Sequence, residues 1–257
     1  PRESGDNWRD CSNQRSSQAL SSTQLIRANP KPLLGYNETT TLHLLLYKLG
    51  HVSLYGGALL TQFAISGPSM HSYTTTAIRA AVLEPERPFA VKPSENFQDG
   101  YLDWSNSENL GVAKELEPNP GWEWVGWAAE CEAEAVVEGV LWGGCVEVLM
   151  SNLAVGKYLP DGDDLAASLK GKVLFAETSE EFPSEYQVYS FFQSMGELGV
   201  LNSAAALLVG RPQTVCRGEI VAMGRDKYRA AQREAILRAI REYCPAGKPP
   251  RLRPSHH

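Results

Sequence analysis

The sequence contains no uninterrupted apolar run of about 18 residues, the length that a membrane-spanning helix requires, so no transmembrane segment and no membrane partner is expected. It also lacks the apolar core of a secretory signal: residues 1–24, PRESGDNWRDCSNQRSSQALSSTQ, are polar with almost no aliphatics. Such a segment buries too little apolar surface to offset its ordering entropy. Its first residue is Pro, not Met, so the chain need not begin where the gene product does. Paired cysteines are missing too. Cys11, Cys131, Cys145, Cys216 and Cys244 make an odd set, widely spaced and without a C-x-x-C. That pattern argues against a disulfide framework or a zinc site and predicts reduced thiols in a cytoplasmic protein. There is no basic excess: 24 Lys and Arg face 30 Asp and Glu, a net charge of −6, which argues against a nucleic-acid-binding face.

What is present is a core-forming composition. Over 257 residues, 43% are apolar and 21% charged, enough for one large domain or two small ones. The charge is uneven. Between Glu84 and Glu138 stand thirteen acids and three bases, a local net of −10, leaving the remainder near +4. The same stretch carries Trp104, Trp122, Trp124 and Trp127. Two readings are open: a solvated, Pro-rich connection, or a substrate-facing loop with aromatic platforms.

Periodicity predicts strands alternating with helices, an α/β protein. Leu42, Leu45, Leu46 and Leu49 recur at helical spacing and predict a buried helix face, with Asn37 as N-cap and Gly50 as C-cap. HVSLYGG reads as a short strand, and residues 71–83 as a further helix. VVEGVLWGG reads as a strand turning at Gly143–Gly144, followed by the helical CVEVLMSNLAV. The apolar run Val173–Ala176 predicts a buried strand delivering Glu177 at its C-terminal end, a common place for site residues in α/β folds. Val188, Phe192 and Met195 mark a helix begun at Pro183, SAAALLVGRP another strand, and DKYRAAQREAILRAIREY an amphipathic helix. The terminal PAGKPPRLRPSHH, with four prolines, reads as a tail whose His256 and His257 are solvent-exposed.

Several of these blocks, in this order, resemble one family. LIRANPKPLLGYNETTTLHLLLYKLGHVSLYGGALLTQFA is similar to the nucleophile region of the LD-carboxypeptidase family of serine peptidases, and most similar to its microcin C immunity branch. EPNPGWEW, VVEGVLWGGCVEVL, GKVLFAETSEEFPS and LLVGRPQ continue the resemblance over about residues 25–245. It implies an N-terminal α/β domain, a C-terminal domain of mixed strands and helices, and an active-site cleft between them. On that pattern, residues 1–24 are an atypical segment, 25–92 a remnant of the N-terminal domain, 93–135 the acidic Trp-rich connection, 136–244 the C-terminal domain and 245–257 the tail. The resemblance also implies a Ser-His-Glu triad that hydrolyses an amide or acyl-sulfamoyl bond beside a free carboxylate, in murein-type peptides or peptidyl nucleotides. No metal or organic cofactor is implied, and homodimers are common in the family.

The carried-over positions depart from that triad. The nucleophile turn is Gly35-Tyr36-Asn37-Glu38, so an amide stands where the serine hydroxyl is expected, and an amide is not a useful acyl acceptor. Glu38 replaces the neighbouring Asp. Glu177 matches the triad glutamate. No Gly-His-Thr segment follows Tyr243, and no Gly-Gly pair precedes Gly35 to supply oxyanion-hole backbone; His43, His51 and His71 have no motif context. Both ends therefore read as truncated or altered. Two functions are open: a hydrolase of this family impaired in this chain, or a catalytically inactive relative that binds a ligand or partner. The expected site is Asn37 and Glu177, with Glu38, Trp122, Trp124, Trp127 and Arg211 toward substrate. The tryptophans would stack on a nucleobase and the Arg211 fork would meet a carboxylate.

Overall fold

The computed structural model describes residues 22–65, 67–84, 88, 90–125, 136–162, 164–244 and 251–255. Two compact units are distinguished, Pro1–Lys31 and Pro32–His257. In the first, the described residues, 22–31, begin with helix α1, Ser22–Ala28, which has no buried residue.

The second unit opens with two parallel two-residue strands, β1 (Leu34–Gly35) and β2 (Leu54–Tyr55), paired Leu34 to Leu54 and Gly35 to Tyr55. Between them a 3-10 turn, Asn37–Thr39, leads into α2, Thr40–Lys48. The helix stops as expected at Gly50. Its φ of 79° lets the Gly50 and His51 N–H groups return to the carbonyls of Tyr47 and Leu46 at 2.9 Å each. The expected buried face does not hold. Thr40, His43 and Leu44 point inward, while Leu42 is 48% exposed. Polar contacts set the rotation: the Thr40 hydroxyl receives the Cys145 backbone N–H at 3.1 Å, and His43 bonds Ser53 and Gly35. Asn37 is no N-cap either, because Thr39 takes that place at α2 and makes no side-chain cap bond.

Helix α3, Ser72–Ile78, continues into a wider turn over Arg79–Leu83. A small antiparallel pair follows, β3 (Asn96–Phe97) with β4 (Glu117–Pro118). Then come β5 (Leu141–Cys145), α4 (Val146–Val155), α5 (Leu165–Ser168), β6 (Val173–Glu177), α6 (Glu185–Glu197), α7 (Val200–Ser203) and β7 (Ala206–Gly210). A short hairpin, β8 (Val215–Cys216) and β9 (Glu219–Ile220), precedes the long α8 (Arg225–Tyr243) and β10 (Arg251–Ser255). Strands β10, β7, β6 and β5 lie side by side in that order, all parallel. The fold class is α/β, as the alternation predicts.

Two further expectations are corrected. Residues 251–255, read as tail, form the edge strand β10, with Arg251 beside Ala206 and Ser255 beside Gly210. Pro254 is tolerated because an edge strand has one side that bonds no neighbour. His256 and His257 lie outside the described residues, as do Cys11, Cys131 and Trp127. Gly143 and Gly144 sit inside β5 rather than turning it. A Cβ on Gly144 would stand 2.3 Å from the Thr40 methyl, so glycine there allows α2 to seat against the strand.

The core lies between the parallel sheet and α4, α6 and α8. Trp142, Leu149, Leu174, Phe192, Leu207 and Ile240 are buried in it, and burying a side chain such as Phe192 contributes roughly 2–3 kcal/mol. Helix α6 starts with a reciprocal cap: the Ser184 hydroxyl receives the Gln187 N–H, and the Gln187 side chain receives the Ser184 N–H. Val188, Phe192 and Met195 are its buried face, as the spacing predicts. Among the described residues, no helix is long and apolar enough to cross a membrane.

Candidate functional site

Parallel strands end where their buried faces open, and β5 and β6 end at Cys145 and Glu177. The segment 34–63 is laid against those ends. Tyr55 joins it to the sheet: its hydroxyl donates to Glu177 Oε1 at 2.6 Å, accepts the Asn37 backbone N–H at 3.2 Å and contacts Thr40 Oγ1 at 3.1 Å. Asn37 takes a left-handed φ of 56°, which Asn tolerates better than most residues, and its amide donates to Glu180 Oε2 at 3.3 Å. The structure therefore brings Asn37 and Glu177, the two residues expected at the site, together through a tyrosine that sequence reasoning missed.

The electrostatics centre on one carboxyl, Glu177, whose charged form its surroundings disfavour. Burial pushes the Glu177 carboxyl up to about 7; the charges of Glu147 and Glu180 act the same way, against the Tyr55 hydroxyl and the Asn37 N–H. Burial and Glu177 also drive the Tyr55 phenol upward, so it remains protonated and donating. Glu147, from the first turn of α4, receives the Ser179 N–H at 3.1 Å and its hydroxyl at 2.7 Å, which fixes the loop carrying Glu180. The Cys145 thiol donates to Glu147 at 3.1 Å, and burial pushes its pKa well up, so it is a thiol and not a nucleophilic thiolate. Cys216 and Cys244 are free as well.

His43 holds the turn from below. Its Nε2 meets the Gly35 carbonyl at 3.0 Å, so that nitrogen carries the proton and Nδ1 accepts from the Ser53 hydroxyl at 2.7 Å. Burial lowers its pKa against the Gly35 bond. Both ring nitrogens are thus committed to the local backbone. Glu38, on the same 3-10 turn, is exposed to solvent.

Arg211 follows β7 directly. Its guanidinium lies 3.4 Å over the Phe97 ring and donates to Asn119 Oδ1 at 2.7 Å. Burial lowers it to about 10, helped by the charges of Arg229 and Arg225. Asn119 also receives the Gly121 N–H at 3.0 Å, so Arg211 is tied to the segment bearing Trp122 and Trp124. Trp124 is 40% exposed, and Glu123 between the two bonds Arg233 Nε at 2.9 Å. Trp104 stacks on Tyr101, ring centroids 4.3 Å apart. The acidic stretch is not simply solvated. Asp99 is 3% exposed and receives Arg225 at 2.8 Å, Arg229 at 2.6 Å and the Thr214 N–H at 3.0 Å, while Glu117 holds Arg225 at 2.8 Å. The acids of this stretch thus neutralise one basic face of α8. Among the described residues no cluster of metal-ligating side chains is formed.

The comparisons with known proteins agree with this architecture. Residues 138–250 match the LD-carboxypeptidase C-terminal domain. The chain is 24% identical over 187 residues to the microcin C7 self-immunity protein MccF of Escherichia coli, covering 72% of this chain and 49% of that one. Its fold is similar to an MccF-like protein of Streptococcus pneumoniae solved in complex with AMP: TM-score 0.68, 22% identity, 92% of this chain and 64% of that one. It is similar also to MccF in complex with aspartyl sulfamoyl adenosine, with TM-score 0.64, 22% identity and coverage of 90% and 60%. The chain spans about half the length of the curated relative it matches. Its resemblance to the LD-carboxypeptidase family is thereby shown, with the family's C-terminal domain at residues 138–250.

Proposed function

We propose that this chain is a cytoplasmic, catalytically impaired relative of the LD-carboxypeptidases that binds an aminoacyl- or peptidyl-nucleotide without hydrolysing it. The observation that carries the reading is the Asn37–Tyr55–Glu177 relay. The position expected to hold the acyl acceptor presents an amide bonded to Glu180, and the carboxylate expected to orient a histidine is held by a phenol. Acyl transfer by a triad needs a hydroxyl and a base whose proton moves between them. Here Tyr55 stays protonated, Cys145 stays a thiol, and His43 is committed at both nitrogens.

The ligand class follows from the nucleotides held by the similar structures, AMP and aspartyl sulfamoyl adenosine. Trp122 and Trp124 are the stacking platforms, each contributing about 1–3 kcal/mol to a bound base, and Arg211 faces an anionic group. The test pairs calorimetric titration of aspartyl sulfamoyl adenosine with a hydrolysis assay on that compound and on L,D-peptides. Binding without turnover is expected, weakened roughly 5-fold or more by Trp122→Ala or Trp124→Ala. Asn37→Ser alone does not restore turnover. Turnover by the unaltered chain that disappears in Glu177→Gln overturns the proposal. Sedimentation of the same samples reads whether the chain forms the homodimer common in the family.

A further inference from the structure

A small cavity lies under the candidate site, lined by Glu177, Thr178, Val209, Gly210, Pro212 and Gln232 among others. It is the size of one water molecule. Gln232, near the middle of α8, is 1% exposed. Its amide orientation is set by chemistry: Nε2 donates to the Pro183 carbonyl at 2.5 Å, an atom that can only accept. The other end, Oε1, is buried and accepts from no group among the described residues. A buried amide oxygen left without a donor costs roughly 1–3 kcal/mol, and Gln232 lines a cavity that Glu177 also lines.

We propose that this cavity is a water site in which one molecule donates one hydrogen to Gln232 Oε1 and the other to the Glu177 carboxylate, making Gln232 a positioning residue for Glu177. A water has two O–H donors, and the two lining residues Gln232 and Glu177 each carry an acceptor oxygen. The second bond favours the ionised carboxylate, so the water opposes the burial that drives Glu177 toward its protonated form. The other titratable groups around Glu177 are Tyr55 on β2, Tyr36 beside the Asn37 turn, Cys145 on β5, Glu147 on α4 and Glu180 after β6. On α8 the Tyr228 phenol interacts with both Gln232 and Glu147. The inference concerns the unliganded protein and does not depend on the nucleotide-binding proposal.

The test follows the Glu177 side-chain carboxyl carbon by NMR from pH 4 to 9 in the full chain and in Gln232→Met, which fills similar volume with no acceptor amide. The variant is expected to titrate higher by about 0.5 pH unit or more, with the Tyr55 ring signals unshifted at pH 5. A midpoint unchanged in a folded variant overturns the proposal. The unaltered protein gives a second measurement, independent of whether the variant folds. A cross-relaxation peak between long-lived water and the Gln232 side-chain amide protons is expected, and its absence overturns the water site.

Discussion

Asp99 and Arg225 stand 126 positions apart in the chain and meet at 2.8 Å, with the carboxylate almost fully buried and the guanidinium about a quarter exposed. The same carboxylate oxygen receives Arg229, four residues further along α8, and Glu117 bonds the same Arg225 nitrogen, Nη2, at 2.8 Å. This makes one face of a basic helix the seat of an acidic connection.

Removing the carboxylate therefore costs more than a surface pair would. Asp99→Asn is expected to lower stability by about 3 kcal/mol, since it leaves Arg225 and Arg229 without their shared charge. Arg233→Gln, which breaks the half-exposed pair with Glu123, is expected to cost no more than about 1 kcal/mol. Urea unfolding at neutral pH compares the two, and equal losses would contradict the burial difference.

The same carboxylate sets an acid limit. Burial alone would raise the Asp99 pKa, but the Thr214 hydrogen bonds and the charges of Arg229 and Arg225 outweigh it and hold it below its ordinary value. A depressed folded value means stability is present above the unfolded pKa, near 3.8, and is lost as pH falls through the lower folded one. Asp99→Asn should flatten that acid limb in thermal melts between pH 2 and 5.

Glu177 works in the opposite sense. Its folded value, near 7, lies above the unfolded 4.5, so its contribution is fully present below 4.5 and is lost as pH rises through 7. Glu177→Gln keeps an acceptor for the Tyr55 hydroxyl and removes the charge. The variant is expected to be more stable than the unaltered chain at pH 8, by roughly 1–3 kcal/mol, with little difference at pH 4.5. Melts at the two pH values check this, and a variant less stable at pH 8 would count against it.

Tyr55→Phe removes one hydroxyl from three partners: the Glu177 carboxylate, the Asn37 N–H and Thr40. A loss of about 1–3 kcal/mol is expected, because buried groups are left unpaired. The Glu177 titration should also move further up, as the donor that favours its charged form is gone. A carboxyl signal that titrates unchanged would show that the hydroxyl is not what holds Glu177.

Local patterns carried much of the sheet and little of the site. The apolar run of β6 ends directly in an acid, so Glu177 was legible; so was the α6 face, set by spacing alone. Tyr55, Glu180 and Glu147 were not, because their roles exist only across gaps of 122, 143 and 32 residues. Helix α2 misled because leucines occupy one face while Thr40 and His43 hold bonding partners on another, and those partners decide the rotation. Strand β10 was hidden by its composition, since arginine and proline suit an edge strand as well as they suit a coil. The Asp99 cluster was visible only as opposite charges on distant segments.

The four parallel strands join the sheet in one direction, each new strand added outside the last, from β5 through β6 and β7 to β10. Their order never reverses, so these strands contain no place where neighbouring connections diverge and leave a natural crevice. Any recess at their carboxyl ends has to be walled by chain from elsewhere. Here that wall is the segment from Gly35 to Tyr55, fastened through Thr40 and Tyr55 to the last residues of β5 and β6. The shape of the recess thus rests on two hydroxyl groups, and it should be remodelled more readily by changes in that segment than by changes within the sheet.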